Sequence, residues 1–274
     1  MGQGPGTRPT RREPPPMRRA TILIRALLRA SAAGCLALAT PAPAAEITLL
    51  TTGAYKPVAA ALVPAFERRT GHHVAIRNET AGAVAQAIRD GARADLVVLT
   101  PGGFDALIRD GRLSGAPPVP LAQVGIGVAV RDGAPAPDIG TVAGFREALL
   151  RARAVAMVDP ASGGSSGIYL AGLFERLGIA EAMKGKLVLV RGGLAAARLV
   201  TGEADLALQQ TSELLAVGGA RLVGPIPAEV QTFTIYAGMV PAGAAEAASV
   251  LLHDLAGPGA APVLAEKGMA PPSP

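Results

Sequence analysis

Aromatic residues are scarce in this chain of 274 residues, which contains no Trp, three Tyr and five Phe. Proteins that bind single-stranded nucleic acid stack bases on aromatic side chains, so this scarcity argues against nucleic acid as a partner. Cysteine is scarcer still, because Cys35 is the single one in the sequence. If residues 1–45 are removed after export, no disulfide, thiol nucleophile or cysteine-ligated metal site remains to be considered.

Positive charge is concentrated at the N-terminus. The chain has 26 basic and 21 acidic residues, and residues 1–45 hold seven Arg and one Glu. Subtracting these leaves 19 basic and 20 acidic residues in the remainder, a net charge of −1. A body without excess Lys and Arg is not expected to bind the phosphate backbone of nucleic acid.

The N-terminal segment, residues 1–45, has the pattern of a secretory signal with an upstream extension. Its positive region contains Arg18, Arg19, Arg25 and Arg29. An apolar stretch at residues 30–39 follows, too short to span a bilayer, and then Ala42-Pro43-Ala44, typical of a cleavage site. Arg18-Arg19 also fits twin-arginine export, and Cys35 a lipoprotein anchor, although Ala32 stands where that motif has Leu. The sequence therefore predicts cleavage near Ala44 and a periplasmic product.

Strand-like and helix-like segments alternate from Glu46 onward, which predicts an α/β fold. The strands are apolar on both faces, as in a parallel sheet covered by helices. Two longer strand-like segments, at residues 121–133 and 230–241, predict crossovers between two α/β lobes. We expect one lobe at residues 46–123 and 230–274 and the other at 124–229, with a ligand cleft between them.

A run of small residues stands out in "DPASGGSSGIYLAGLFERLGI", residues 159–179. Ser162–Gly167 has little core volume but exposes hydroxyls and backbone N–H groups at the start of a helix, where an anion is favoured. We expect Gly163 and Gly164 to allow close backbone approach, and Ser165 or Ser166 to cap the helix. A flexible turn capped by Ser166 is the alternative.

Four segments together resemble the periplasmic molybdate-binding proteins of ABC importers, which have the type II periplasmic-binding-protein fold. They are "EITLLTTGAYKPVAAALVPAFERRTG", "GARADLVVLTPGGFDALIRDGRL", "DPASGGSSGIYLAGLFERLGI" and "GPGAAPVLAEKGM". The resemblance implies a solute-binding protein that holds a small oxyanion or small carboxylate between its lobes. It also implies a membrane permease as partner, a monomeric state and no cofactor.

The family's binding positions can be followed onto this sequence. Its serine after the first strand corresponds to Ala54 in "TTGAY", and its serine-rich turn after the second strand to Thr80 in "ETAGA". Its backbone amides correspond to residues 165–167, and its binding tyrosine most nearly to Gln210 in "LQQTSE". This chain thus keeps the location of the family's site with different side chains.

All candidate residues lie at carboxyl ends of strands or at the helix starts that follow, where ligands bind in open α/β sheets. The ligand-binding candidates are Thr51, Thr52, Gly53, Thr80, Ser162, Gly164, Ser165, Ser166, Tyr169, Arg191, Gln209 and Gln210. For the threonines the alternative role is a helix N-cap, for Tyr169 core packing, and for Arg191 a surface salt bridge. Gln209 and Gln210 are consecutive in a strand, so only one is expected to face the cleft.

An enzyme of the same fold is the second hypothesis, since aconitate isomerase resembles the molybdate-binding family. Here Arg191 would hold a carboxylate while Glu79 or Tyr169 moved an allylic proton. Other chemistry finds no support in the sequence. Ser166 has no obvious base partner for hydrolysis, and His72, His73 and His253 have no metal-ligand spacing, so no metal is expected.

Overall fold

The computed structural model describes residues 1–4, 6 and 44–272. The predicted leader therefore lies almost entirely outside the described residues, including its arginines, Cys35 and the Ala42-Pro43 part of the predicted cleavage site. Within the part of the chain that is described, no helix combines the length and apolar character that crossing a bilayer requires. Residues 44–272 form one compact unit.

Nine strands and ten α-helices alternate along the described part of this unit. The strands are β1 (Glu46–Thr52), β2 (His73–Glu79), β3 (Leu96–Leu99), β4 (Val119–Arg131), β5 (Val155–Val158), β6 (Leu187–Val190), β7 (Leu206–Gln210), β8 (Ala220–Pro225) and β9 (Phe233–Met239). The helices are α1 (Lys56–Thr70), α2 (Ala81–Arg89), α3 (Pro101–Arg109), α4 (Val142–Arg151), α5 (Ser165–Arg176), α6 (Ala180–Lys184), α7 (Ala197–Val200), α8 (Thr211–Leu214), α9 (Glu246–Ala256) and α10 (Ala260–Glu266). This alternation confirms the predicted α/β class.

The sheet has the order β2-β1-β3-β9-β4-β7-β5-β6, with β8 also paired to β4. β1 runs parallel to β2 and β3, and β5 runs parallel to β6 and β7. The 13-residue strand β4 and the seven-residue strand β9 are antiparallel to each other and join these two parallel groups. They match the two segments predicted as crossovers. The lobe boundaries drawn from them stay a prediction.

Local sequence explains most of the elements. β3 and β5 are four-residue strands with every residue buried, as expected for a sheet covered on both faces. Thr80, Thr100 and Thr141 each cap a helix by accepting a backbone N–H, and Gly71 ends α1 in the left-handed conformation. These caps fix where each helix begins beside its strand, and so determine which residues meet at the strand ends.

Three short elements were not predicted: α6, α8 and the edge strand β8. β8 carries Arg221, Gly224 and Pro225, and only its pairing with β4 makes it a strand. α8 is a four-residue helix that follows β7 without a break. It matters for the site because it carries Glu213.

Candidate functional site

A small cavity of about 30 Å³ lies where β1, β2, β5 and β7 end. Eight residues singled out in the sequence line it: Thr52, Gly53, Glu79, Thr80, Gly164, Ser165, Ser166 and Gln210. Asn78, Glu213 and Tyr236 also line it and were not predicted. The lining contains no Lys or Arg. The cavity is therefore polar and has two carboxyl groups, from Glu79 and Glu213, but no cationic side chain.

The N-terminus of α5 forms one wall of the cavity. Gly164 is the N-cap residue and makes no side-chain cap hydrogen bond, while Ser165 and Ser166 lie in the first turn. The predicted serine cap is therefore wrong, because the turn at Pro160–Ser162 delays the start of the helix until after Gly164. The first N–H groups of this 12-residue helix are left without a side-chain cap. Such a terminus favours an anion.

The two glycines before α5 differ in what they contribute. Gly163 has φ 74, a left-handed conformation that glycine adopts readily. Gly164 has φ −74, a backbone conformation open to any residue. Gly164 is instead required by space, because a Cβ there would lie 2.5 Å from Cγ1 of Val158.

Two buried hydroxyls at the cavity make no hydrogen bond of normal geometry: Oγ1 of Thr52, which lies close to the phenol of Tyr236, and Oγ of Ser166. A buried polar group without a partner costs about 1–3 kcal/mol. Nearby, the Gln210 side-chain amide donates to the hydroxyl oxygen of Tyr236 over 3.3 Å. A ligand oxygen bound here would give the two hydroxyls an acceptor.

Glu213 is the most unusual group in the cavity. It is only 7% exposed, and its Oε1 lies so close to Gly53 that a Cβ on the glycine would approach it to 2.7 Å. None of the ion pairs among the described residues includes it. Burial raises the pKa of Glu213 to about 8, and hydrogen bonding with the Gln209 side chain opposes part of that rise. The carboxyl is therefore mostly neutral at pH 7.

Tyr236 is the second buried titratable group at the cavity. Burial, and then the charge of Glu213 when it ionises, raise the pKa of Tyr236, so the phenol stays protonated.

The helix carrying Glu213 is tied to the chain after β1, because the Ser212 hydroxyl donates to the carbonyl oxygen of Ala54 over 2.8 Å. Glu213 and Tyr236 thus sit on fixed elements.

Two backbone contacts close the cavity on the side of α2. The Gly82 N–H donates to the Gly163 carbonyl over 3.0 Å, and the Thr80 hydroxyl donates to the Ser162 carbonyl. Thr80 also accepts the N–H of Ala83 at 3.2 Å, so its alternative role as a helix cap is confirmed. These contacts join the chain after β2 to the chain after β5.

Five of the predicted ligand-binding residues lie outside the cavity lining: Thr51, Ser162, Tyr169, Arg191 and Gln209. The Tyr169 hydroxyl donates to the Val230 carbonyl over 2.7 Å. The side chain of Arg191 is 87% exposed and is paired with Asp159 at 3.4 Å. This ion pair corresponds to the surface salt bridge that was predicted as the alternative role of Arg191.

The other three outside residues are held by the backbone. The Ser162 hydroxyl donates to the Asp159 carbonyl over 2.7 Å, and that of Thr51 lies 3.5 Å from the Thr52 carbonyl. The Gln209 amide is bonded to the backbone of Ala195 and Gly193. Of the two consecutive glutamines, only Gln210 faces the cavity, as expected.

A larger groove of about 950 Å³ lies elsewhere, along residues 130–138, 147–153 and 202–206. None of the predicted site residues lines it. Among the described residues, no group of three or more His, Cys, Asp or Glu side chains is placed to hold a metal ion. Three features therefore meet at the small cavity: polar residues at the ends of strands, the starts of helices, and the buried carboxyl of Glu213.

The fold and this cavity define a class of protein. Residues 47–270 match the model of the bacterial extracellular solute-binding proteins, and the chain belongs to that family. Among particular relatives, an aconitate isomerase from Pseudomonas sp. is 33% identical over 259 residues. That match covers 92% of this chain and 96% of the isomerase.

Solved structures share the fold at lower identity. The periplasmic molybdate-binding protein of Azotobacter vinelandii is 20% identical with a TM-score of 0.66, covering 83% of this chain and 100% of that one. A sulfate-binding protein from Mycobacterium tuberculosis H37Rv has the same identity and TM-score, covering 84% of this chain and 88% of that one. The expected type II periplasmic-binding-protein fold is thereby confirmed.

Proposed function

We propose that this protein is an isomerase that binds a small unsaturated polycarboxylate, of the aconitate type, in the cavity and moves an allylic proton. The observation that carries the proposal is the buried carboxyl of Glu213 inside a cavity whose other polar groups are the exposed carboxyl of Glu79 and neutral hydroxyls, amides and backbone N–H groups. A receptor for anions has no need of an ionisable carboxyl, whereas a proton shift requires a group of this kind. The full-length similarity to an aconitate isomerase supports the same reaction class.

Anion binding in this cavity relies on neutral donors. The uncapped start of α5 and the hydroxyls of Thr52 and Ser166 supply N–H and O–H groups to substrate carboxylates. Because burial keeps Glu213 mostly protonated at neutral pH, it does not repel an incoming anion. Three residues were predicted from the sequence to act in an isomerase: Glu79, Tyr169 and Arg191. Glu79 lines the cavity, whereas Tyr169 and Arg191 do not.

Substrate entry requires the cavity to enlarge. A volume of about 30 Å³ corresponds to roughly one water molecule, so a tricarboxylate needs the walls to separate. We place the hinge in β4 and β9, the strands that join the two parallel groups, with lobes at residues 46–123 with 230–274 and 124–229. Opening would break the contacts of Gly82 with Gly163 and of Thr80 with Ser162.

The second candidate is a periplasmic receptor that delivers a small oxyanion or carboxylate to the permease of an ABC importer as a monomer. The neutral donor set favours it, since such donors hold an anion without a full countercharge. The fold shared with molybdate-binding and sulfate-binding proteins is also consistent with transport. Both candidates share an exported location.

Calorimetry and an activity assay separate the two candidates. We expect the purified protein to bind cis- and trans-aconitate more tightly than molybdate or sulfate, and to interconvert the two aconitates as followed by chromatography. Tight binding of molybdate or sulfate without interconversion would support the receptor and reject the isomerase. Binding of none of these anions would reject both.

A further inference from the structure

We infer that Glu213 is the catalytic residue that takes and returns the allylic proton, and this assignment rests on the proposed isomerase function. Glu79 and Glu213 are the carboxyl groups in the cavity lining. Glu79 is exposed, whereas Glu213 is buried on α8 against Gly53. A general base is most effective when its pKa lies near the operating pH, and burial moves a carboxyl in that direction, so the buried carboxyl is the better suited of the two.

The surroundings of Glu213 suit a group that changes its protonation state. Its neighbours are Gly53 after β1, Gln209 on β7 and Tyr236 on β9, and no basic side chain lines the cavity to hold it ionised. Its pKa of about 8 leaves both the acid and the carboxylate populated near neutral pH. Tyr236 and Glu79 are the other titratable groups at the cavity, and burial keeps Tyr236 protonated.

The proposed step balances without a co-reactant. The Glu213 carboxylate takes a proton from the methylene carbon of the substrate, and the C–H electron pair delocalises over the allylic system and its attached carboxylate. The Glu213 carboxylic acid then returns the proton to the carbon at the other end, which had carried the double bond. One C–H bond breaks, one forms, the double bond moves by one position, and no electrons are gained or lost.

The donors around the carboxyl have a part in this step. Negative charge accumulates on a substrate carboxylate while the proton is on Glu213. The phenol of Tyr236 and the amide of Gln210, joined at 3.3 Å, are neutral groups on fixed strands beside that charge. Such preorganised donors stabilise charge that develops in a transition state.

The test compares Glu213→Gln with wild-type protein, using trans-aconitate as the probe. Glutamine has the shape of the protonated glutamic acid but cannot accept a proton from carbon. We expect kcat to fall by about 10²-fold or more, while the Kd for trans-aconitate measured by calorimetry stays unchanged. Glu266→Gln, on the exposed face of α10, is the matched control and should keep full activity.

A deuterium experiment gives a second readout that does not depend on the variant folding. In D₂O the wild-type protein should exchange the methylene hydrogens of trans-aconitate, and kcat/KM should rise with pH through about 8 as Glu213 ionises. Glu213→Gln with wild-type turnover, or loss of turnover in Glu79→Gln alone, would overturn the assignment and leave the isomerase intact. A wild-type protein that binds trans-aconitate but neither isomerises it nor exchanges its hydrogens would overturn both.

Discussion

Gly82 and Gly163 meet backbone to backbone beside the cavity, with the N–H of Gly82 donating to the carbonyl of Gly163 over 3.0 Å. Neither glycine has room for a side chain here. A Cβ on Gly82 would lie 2.7 Å from Cα of Gly163, and a Cβ on Gly163 would lie 2.6 Å from Cα of Gly82. The contact that closes the cavity therefore depends on both residues being glycine.

Replacing Gly82 with alanine should weaken ligand binding without destabilising the free protein. Gly82 lies in the first turn of α2, where an alanine backbone is compatible with the helix, but the Cβ of alanine would block the closed contact. Losing that hydrogen bond, worth about 1–1.5 kcal/mol, should raise Kd about fivefold to tenfold. Calorimetry with trans-aconitate and thermal unfolding measure the two effects.

Gly102→Ala is the matched control for this experiment. Gly102 also occupies the second position of a helix that follows a threonine cap, and no atom lies within 4 Å of its would-be Cβ. The Gly102→Ala protein should bind trans-aconitate with the same Kd as wild type. Equal affinities for Gly82→Ala and Gly102→Ala would mean that the Gly82–Gly163 contact has no part in holding the ligand.

Removing the buried hydroxyl of Thr52 should have opposite effects on stability and binding. Thr52→Val keeps the side-chain shape and abolishes a buried group that makes no hydrogen bond of normal geometry, so the unfolding free energy should rise by about 1 kcal/mol or more. Kd for trans-aconitate should rise, because the ligand loses a donor. Thr51→Val, buried but outside the cavity, is the control for binding. A Thr52→Val protein that binds as tightly as wild type contradicts the assignment of this hydroxyl.

The raised pKa of Glu213 makes stability depend on pH with a definite sign. The folded protein binds this proton up to about pH 8, whereas the unfolded chain releases it near the ordinary value of 4.5. Between these values the unfolded state holds fewer protons, so the stability contributed by Glu213 is lost as pH rises, by at most about 1.4 kcal/mol per pH unit. Above pH 8 this contribution no longer changes.

Chemical denaturation of wild type and Glu213→Gln over this pH range checks the sign. Glu213→Gln has no carboxyl to ionise at this position. The unfolding free energy of the variant, relative to that of wild type, should therefore increase as pH rises from about 5 to 8, and the difference should stay constant above pH 8. Parallel stability curves for the two proteins would show that the folded pKa of Glu213 is not raised.

Arg191→Ala should leave binding and turnover of trans-aconitate unchanged. Its guanidinium is largely exposed, pairs with Asp159 and lies outside the cavity. Exposed ion pairs of this kind contribute about 0–1 kcal/mol to stability, so the melting temperature should change little. Steady-state kinetics measure the effect. A large rise in KM would contradict this prediction and show that Arg191 binds a carboxylate of the substrate.

Much of the fold could be predicted because its signals are local. The strands β1 and β2 illustrate this, since each is a short segment with apolar residues that ends at Thr52 or Glu79 directly before a helix, and β1 begins at Glu46, where the predicted alternation starts. The cavity location also followed from the strand ends. The small residues before α5 line it as expected through Gly164, Ser165 and Ser166.

Glu213 and Tyr236 could not be found in this way because tertiary packing places them. Glu213 lies within a four-residue helix, where "TSEL" gives no periodic signal, and its burial comes from contact with Gly53, far away in sequence. Tyr236 lies inside β9, not at a strand end, and reaches the cavity because β9 pairs with β3 and β4. The family's tyrosine was matched to Gln210, which is in fact the hydrogen-bond partner of Tyr236.

Proton NMR in D₂O on the purified protein tests directly whether this cavity moves an allylic proton. Separate reactions start from cis-aconitate and from trans-aconitate. We predict that both reactions reach the same mixture of isomers, with deuterium incorporated at carbon, and that Glu213→Gln abolishes both changes. Two spectra that keep their starting isomer and their carbon-bound protons, at ligand concentrations that saturate the protein, would contradict it.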